Sequence, residues 1–245
     1  LGVGAYTQAV LTNAGWPFPI ALACAAGLSA AAGVVVGLPA LRVKGIYLGM
    51  ATLSFGFIIE EVFARWESVT GGNSGLTVKS PELFGWTLDS GAQFYFLCLV
   101  ITVACTLVIL NLLRASTGRA FVAIRDSEIS ASCMGVNLAT YKTLSFALSA
   151  ALAGIAGALY AHKVAFISPE QFTLLQSIEL VTIVILGGVG FVHGAVLGAA
   201  FLIVLPQLIS LGKDYLPESV ASSPGLQAVV YGVVLVAFVM FEPHG

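Results

Sequence analysis

The fold class is decided by residues 94–113, which read FYFLCLVITVACTLVILNLL and carry no charged side chain. A helix needs about 20 mostly apolar residues to cross the hydrocarbon core of a bilayer. This run therefore has the length and composition of one transmembrane helix. Strands of a membrane β-barrel would instead alternate apolar and polar residues over segments of about ten. The run predicts an all-α integral membrane protein.

The composition of the whole chain points to the same class. Of its 245 residues, 58% are hydrophobic and 9% are charged, and the mean hydropathy is +1.00. Water-soluble domains carry about 25% charged residues, and disordered chains combine high charge with low hydrophobicity. Both classes are excluded. The net charge of −2 and the absence of a basic cluster argue against nucleic acid as a partner.

Further apolar runs predict a polytopic helix bundle of about seven spans in one membrane domain, residues 1–245. Residues 1–11 resemble the end of a helix already under way, so we expect additional N-terminal helices in the native protein. The long run 176–211 exceeds one span, and we expect Gly187, Gly188 and Gly190 to break it into two helices. Pro206 is expected to kink the second of these. The remaining runs are 18–38, 46–63, 144–161 and 226–241.

Lys, Arg and Trp residues give the orientation. Six cations fall on one side of the predicted bundle: Arg42, Lys44, Arg114, Arg119, Arg125 and Lys142. The other four cations (Arg65, Lys79, Lys163 and Lys213) lie on the opposite side with Trp16, Trp66 and Trp86. Cytoplasmic loops are enriched in Lys and Arg, and Trp anchors helices at the interface. We therefore place residues 114–142, the coupling segment, in the cytoplasm and residues 64–93, the outer loop, outside.

The coupling segment predicts one two-faced helix over residues 119–137. Ser116 and Thr117 are candidate N-caps, and Gly135 and Asn137 are a candidate stop. Small and apolar side chains recur at helical spacing, whereas Arg125 and Glu128 are spaced for an i,i+3 ion pair. The apolar stripe comprises Phe121, Ile124, Ser127, Ala131 and Met134. Such a helix either lies on the bilayer or docks a cytoplasmic partner. The chain has no Walker-type nucleotide loop, so any ATP must be hydrolysed by another subunit.

Two other regions contain candidate functional residues. Gly71, Gly72 and Gly75 flank Asn73 in the outer loop. These glycines either form a simple turn or let the backbone approach a ligand or a neighbouring segment closely. Glu179 lies in the predicted helix that begins near residue 176. It is either a carboxylate favoured by the helix N-terminus or a residue of a transport path. Glu60 and Glu61 are expected at the outer interface. The Cys and His residues lack metal-ligand spacing, so no metal site is predicted.

The chain resembles the permease subunits of branched-chain amino-acid ABC importers, particularly the second of the two related permeases. The resemblance rests on motifs that occur in order along nearly the whole chain. They are LRVKGIY at 41–47, ATLSFG at 51–56, TGGNSGL at 70–76, GRA at 118–120, AIRD at 123–126, MGVN at 134–137, ISPE at 167–170 and LGGVG at 186–190.

The resemblance implies a subunit of a bacterial inner-membrane importer for branched-chain or related neutral amino acids. Its expected partners are a homologous permease, two cytoplasmic ATPases that bind ATP and magnesium, a periplasmic or extracellular substrate-binding protein, and membrane lipid. No cofactor is expected in this chain. Candidate ATPase-coupling residues are Arg119, Phe121, Ile124, Arg125, Asp126, Glu128, Ala131, Met134 and Gly135. Candidate residues of the translocation path or of the binding-protein contact are Gly71, Gly72, Asn73, Gly75, Glu179, Gly187, Gly188 and Gly190.

Three alternatives remain open at this point. The same architecture could carry another small polar solute such as urea, because similarity places a fold better than a cargo. An ion-coupled secondary transporter would need an ion site at membrane depth, for which Glu179 is the single candidate. A membrane-embedded enzyme would need a catalytic constellation, and the sequence offers none.

Overall fold

The computed structural model describes residues 1–41, 46–79, 81–83, 86–87, 90–188, 190 and 192–212, together with residues 232 and 236. The chain divides into two compact units, Leu1–Leu174 and Leu175–Gly245. That the two form one permease domain stays a prediction. The predicted run 226–241 lies outside the described residues except for positions 232 and 236.

The described elements are almost all helices. Ten α-helices are described: α1 Gly2–Asn13, α2 Phe18–Ala40, α3 Ile46–Arg65, α4 Glu67–Thr70, α5 Gly91–Arg114, α6 Ser116–Asp126, α7 Glu128–Cys133, α8 Leu138–Val164, α9 Leu174–Gly187 and α10 Val192–Gly212. The described strands have two residues each: β1 Leu76–Thr77, β2 Glu82–Leu83, β3 Trp86–Thr87 and β4 Phe166–Ile167. Strands β1 and β4 pair antiparallel, as do β2 and β3.

Among the described residues, five helical segments are long and apolar enough to cross a membrane: Phe18–Pro39, Tyr47–Arg65, Gly91–Arg114, Leu138–Val164 and Pro169–Gly187. Val192–Gln207 is a shorter apolar helix. The predicted polytopic helix bundle is confirmed. Helix α8 begins well before the apolar run at residue 144, because Asn137 is its N-cap: Asn137 Oδ1 accepts a hydrogen bond from the Thr140 amide at 3.3 Å.

Helices α1, α2 and α8 pack through small residues. Lipid tails are as apolar as the helices, so close van der Waals contact has to hold membrane helices together, and small side chains allow that contact. Gly154 of α8 lies where the three helices meet: a Cβ built at Gly4 of α1 would lie 2.5 Å from Gly154 Cα, and a Cβ at Gly154 would lie 2.5 Å from Ser29 Cβ of α2. The alanines of this core are fully buried: Ala5, Ala9, Ala21, Ala25, Ala158 and Ala161.

An aromatic and aliphatic cluster covers α1 on its other side. The Tyr6 and Phe63 ring centroids are 4.5 Å apart, and Ile167 of β4 is completely buried beside them. Val78, which follows β1, completes this cluster. The outer loop therefore contributes to the core of the first unit.

A chain of hydrogen bonds joins α1, α8 and the outer loop through His162. The Gln8 amide Nε2, on a completely buried side chain, donates to His162 Nε2 at 3.0 Å. Because an amide nitrogen can only donate, His162 Nε2 accepts and Nδ1 donates to the Lys79 carbonyl at 3.1 Å. His162 therefore has a structural role, because it connects α1, α8 and the outer loop.

Helices α9 and α10 form a hairpin in the second unit. A Cβ built at Gly187 would overlap the carbonyl oxygen of Gly194, and one built at Gly198 would overlap that of Ile183. The two backbones touch along this line, as in membrane helix pairs with small residues at the crossing. Pro206 lies inside α10, which continues to Gly212; no observation tests the predicted kink.

Candidate functional site

The coupling segment forms two helices, so the prediction of one helix over residues 119–137 is wrong. Helix α6 ends at Asp126 because Ser127 adopts an extended backbone, with φ −160° and ψ 113°. Ser127 Oγ then accepts a hydrogen bond from the Ser130 amide at 3.3 Å and caps α7. Ser116 is the first residue of α6 rather than its cap. The stop at Gly135 is confirmed, since Gly135 has φ +83°.

Helix α6 folds back directly on the end of α5. A Cβ built at the buried Gly118 would overlap the Leu113 carbonyl, so only glycine permits this approach. On the same helix, the Phe121 ring meets the Tyr141 ring of α8 edge-on, with centroids 6.0 Å apart. Phe121 therefore holds the segment to its own chain.

Helix α7 is fixed to α8 by an ion pair and a buried alanine. Lys142 Nζ lies 2.7 Å from Glu128 Oε1, and both side chains are partly shielded from solvent. Ala131 is 2% exposed. Arg125 contacts Asp126 at 3.2 Å, so the ion pair predicted between Arg125 and Glu128 is replaced by two others.

Three large apolar side chains of the coupling segment point away from the protein. Met134 is 85% exposed, Ile129 is 78% exposed and Val122 is 44% exposed. We call these three residues the exposed patch. Arg119, Arg125 and Asp126 are exposed beside it. Ile124 is half-buried, one helical turn after the buried Ala120, so it belongs to the inner face.

The structure thus divides the predicted stripe. Met134 joins the exposed patch, whereas Phe121 and Ala131 contact the chain itself and Ile124 lies on the inner face. Ile129 was not predicted, because a single helical period was carried across Ser127, and Val122 was not predicted, because it lies beside Phe121 and off the predicted stripe. A serine followed directly by a glutamate is a typical helix start, and this signal would have shown that the period restarts at Glu128.

The glycines of the outer loop serve contacts with neighbouring backbone. Gly71, Gly72 and Gly75 have φ between +57° and +70°, a conformation that L side chains rarely adopt. A Cβ built at Gly75 would lie 2.6 Å from the Ile167 carbonyl oxygen. The buried Thr70 Oγ1 accepts a hydrogen bond from the Gly72 amide at 3.2 Å. Their contact with a binding protein stays a prediction.

We expect Gly75→Ala to destabilise the outer loop more than Gly15→Ala does. Both glycines have positive φ, which costs a residue with a Cβ about 1–2 kcal/mol, but a Cβ at Gly15 meets no atom within 4 Å. The difference combines the contact with β4 and the backbone of Gly75, whose ψ of 179° at positive φ is a conformation that essentially only glycine adopts. Thermal unfolding of the purified variants, together with limited proteolysis of the loop, measures it. Equal losses for both variants would contradict the packing role of Gly75.

A cleft of about 440 Å³ lies beside this loop and presents Asn73. Glu61 on its wall forms an ion pair with Arg65. The lining residues are Phe57, Ile58, Glu60, Glu61, Ala64, Asn73, Pro169 and Glu170. The cleft is therefore acidic, and of the four predicted outer-loop residues it contains Asn73 alone.

Glu179 is not a helix-start carboxylate. Helix α9 begins at Leu174, and the favourable effect of the helix dipole fades beyond the first turn. Glu179 is the sixth residue of the 14-residue helix α9 and is exposed among large apolar side chains. A carboxylate facing lipid at the centre of a helix costs about 2.5–3.5 kcal/mol on insertion scales. We therefore expect its surface to meet water or a cation.

The predicted break between α9 and α10 is confirmed. Gly188 and Gly190 have φ of +92° and +109°, and α10 begins at Val192. Gly187 additionally packs against Gly194. Within the part of the chain that the structure describes, no group of three or more His, Cys, Asp or Glu side chains could hold a metal ion.

Comparisons with known proteins agree with this architecture. Residues 1–239 match the family described as branched-chain amino acid transport system / permease component. The chain is 33% identical to the high-affinity branched-chain amino acid transport system permease protein LivM of Salmonella typhimurium, over 99% of this chain and 60% of that protein. The chain therefore spans 60% of that relative's length.

Two more distant relatives are also permeases. The probable branched-chain amino acid transport permease protein LivM of Methanocaldococcus jannaschii is 22% identical over 92% of this chain and 67% of its own length. The autoinducer 2 import system permease protein LsrC of Salmonella paratyphi B is 27% identical over 86% of this chain and 61% of its own length. No solved structure matches the chain.

Proposed function

The chain belongs to the permease-component family of branched-chain amino-acid transport systems, and from this membership we propose that it forms part of the path of an ATP-driven importer in the bacterial inner membrane. It is a multi-pass membrane protein and a transport subunit. The proposed cargo is a branched-chain or related neutral amino acid. The match along residues 1–239 is the observation that carries the proposal.

The proposed complex contains a second, homologous permease, two ATPases that bind ATP and magnesium, and a substrate-binding protein. The exposed patch supports an ATPase contact on the cytoplasmic side. Its apolar side chains are held on a segment that is itself fixed to α8 by Phe121 and by the Glu128–Lys142 ion pair. A segment fixed in this way can transmit a movement of the ATPase to helix α8. Transmission requires a contact whose free energy differs between two conformations, because only a differential interaction shifts a conformational equilibrium.

A second cargo class is favoured by one relative. The similarity to an autoinducer 2 import permease indicates that this architecture also serves a small polar solute that is not an amino acid. One uptake assay distinguishes the two cargo classes and also tests whether ATP drives the transport.

We expect proteoliposomes containing this chain and its cognate subunits to accumulate leucine and valine only when ATP and the loaded binding protein are both present. Lysine and glutamate serve as charged controls, and urea serves as a polar control. Radiolabelled uptake is the measurement. Accumulation of urea alone would support the second cargo class, and leucine uptake driven by an ion gradient without ATP would contradict the importer proposal.

A further inference from the structure

Glu179 is a carboxylate without a described partner on an otherwise apolar surface of α9. Its neighbours Ile178, Leu180 and Val181 are 55%, 41% and 57% exposed. Such large apolar side chains belong against lipid or other membrane helices. A charged group among them marks a place where the surface meets water or a compensating charge, because polar groups inside a bilayer are placed on pathways or against partners.

The described part of the second unit supplies no cation for this carboxylate. Neither α9 nor α10 contains Lys or Arg. His193 is the one other titratable side chain of these two helices, and it lies at the start of α10, beside Gly194. Gly194 packs against Gly187 at the turn of the hairpin, and Gly187 is about two helical turns after Glu179. His193 is therefore about two turns away from Glu179 along the hairpin.

Polar side chains accompany Glu179 along the same helix. Gln176 precedes it by one turn, and Thr182 follows by one turn, with its hydroxyl donating to the Ile178 carbonyl at 2.9 Å. Gln176, Glu179 and Thr182 are thus spaced three residues apart and form a polar strip in an apolar span. This strip places polar atoms beside Glu179 on a surface that is otherwise apolar.

We infer that Glu179 lies on the wet wall of the path and compensates the ammonium group of the amino acid during its passage. This inference rests on the proposed function. An amino acid keeps its ammonium group at neutral pH, so leaving water without a counter-charge is unfavourable. The carboxylate supplies that counter-charge at membrane depth, which makes Glu179 a residue that favours cargo with an ammonium group.

The test compares Glu179→Gln and Glu179→Asp with wild type in proteoliposomes that contain the whole importer. Leucine imported per ATP hydrolysed is the measured quantity. We expect Glu179→Gln to lower this ratio by about tenfold or more, equivalent to about 1.4 kcal/mol, while ATP hydrolysis stimulated by the loaded binding protein stays within about twofold. Glu179→Asp keeps the charge and should retain most of the ratio. The exposed Glu67→Gln removes a carboxylate from the outer surface and is the matched control.

Three outcomes overturn the inference. An unchanged ratio for Glu179→Gln shows that the charge is dispensable. Loss of the second permease from the purified complex shows that Glu179 pairs with a cation of that subunit. A wild-type importer that carries only a solute without an ammonium group overturns both the inference and the proposed function. If the wild type imports leucine normally, either of the first two outcomes overturns the inference alone.

A second measurement tests the wet surface directly. In a chain whose four cysteines are replaced by serine, Glu179→Cys should react with a membrane-impermeant cationic methanethiosulfonate, because a thiolate forms only in contact with water. Absence of any labelling places Glu179 against lipid or protein and overturns the inference.

Discussion

Replacing Ile129 by aspartate is expected to release the ATPase subunits from the complex or to uncouple ATP hydrolysis from uptake. Ile129 is 78% exposed on a segment that is otherwise fixed to α8. Burying one large apolar side chain at an interface contributes about 1.5–3 kcal/mol, and each 1.4 kcal/mol is about tenfold in affinity. Losing that contact and placing a charge in the interface should weaken docking by about tenfold to a hundredfold. Co-purification of the ATPase with the tagged permease, and stimulated ATP hydrolysis, measure the effect.

Two controls make this result specific. Ser130→Asp adds the same charge to the neighbouring exposed position of α7 without removing apolar surface, so it should retain the ATPase. Met134→Ala removes a second member of the exposed patch without adding charge and should give a smaller loss. Ile124→Asp places a charge on the inner face of α6 and should instead lower the yield of folded protein. An Ile129→Asp complex with normal ATPase content and normal stimulated hydrolysis would mean that α7 is not a docking surface.

Much of the fold could be predicted because membrane spans are specified locally. The span at 94–113 was recognised from length and lack of charge, and α5 contains the whole run and adds one charged residue, Arg114, at its end. The break was recognised because Gly187, Gly188 and Gly190 cluster inside a run too long for one helix, and Gly188 and Gly190 adopt positive φ. In both places the property that is visible in the sequence, an uncharged apolar run or a cluster of glycines, is also what determines the local structure.

The residues that the sequence did not reveal depend on distant partners. The inner position of Phe121 depends on Tyr141, twenty residues later, and the close packing of Gly75 depends on Ile167. Neither contact leaves a pattern along the chain. The exposed patch was partly missed for a different reason: helical periodicity was continued through Ser127, although a capping serine resets it. The outward direction of Ile129 follows only once that restart is known.

Replacing Gly154 by valine is expected to prevent the first unit from assembling. Gly154 is buried where α1, α2 and α8 meet, and a Cβ there would overlap the Ser29 hydroxyl and lie 2.9 Å from the Ala25 carbonyl oxygen. Attractive contacts between such atoms need about 3.5–4.0 Å. Backbone atoms on the opposing helix cannot rotate away as a side chain can, so the helices must separate. Overpacking typically costs about 1–3 kcal/mol, and this position should lie at or above the upper end.

A matched variant in the same bundle tests whether the loss comes from the helix crossing. Gly27→Val adds the same side chain to α2 two residues before Ser29, at an exposed position where a Cβ meets no atom within 4 Å. Valine has a better helix propensity than glycine, so this variant should fold as well as wild type. The yield of monodisperse protein in detergent and the thermal unfolding midpoint measure both variants. If Gly154→Val unfolds at the wild-type temperature, the three helices do not cross at Gly154, and the small-residue core cannot be what holds them together.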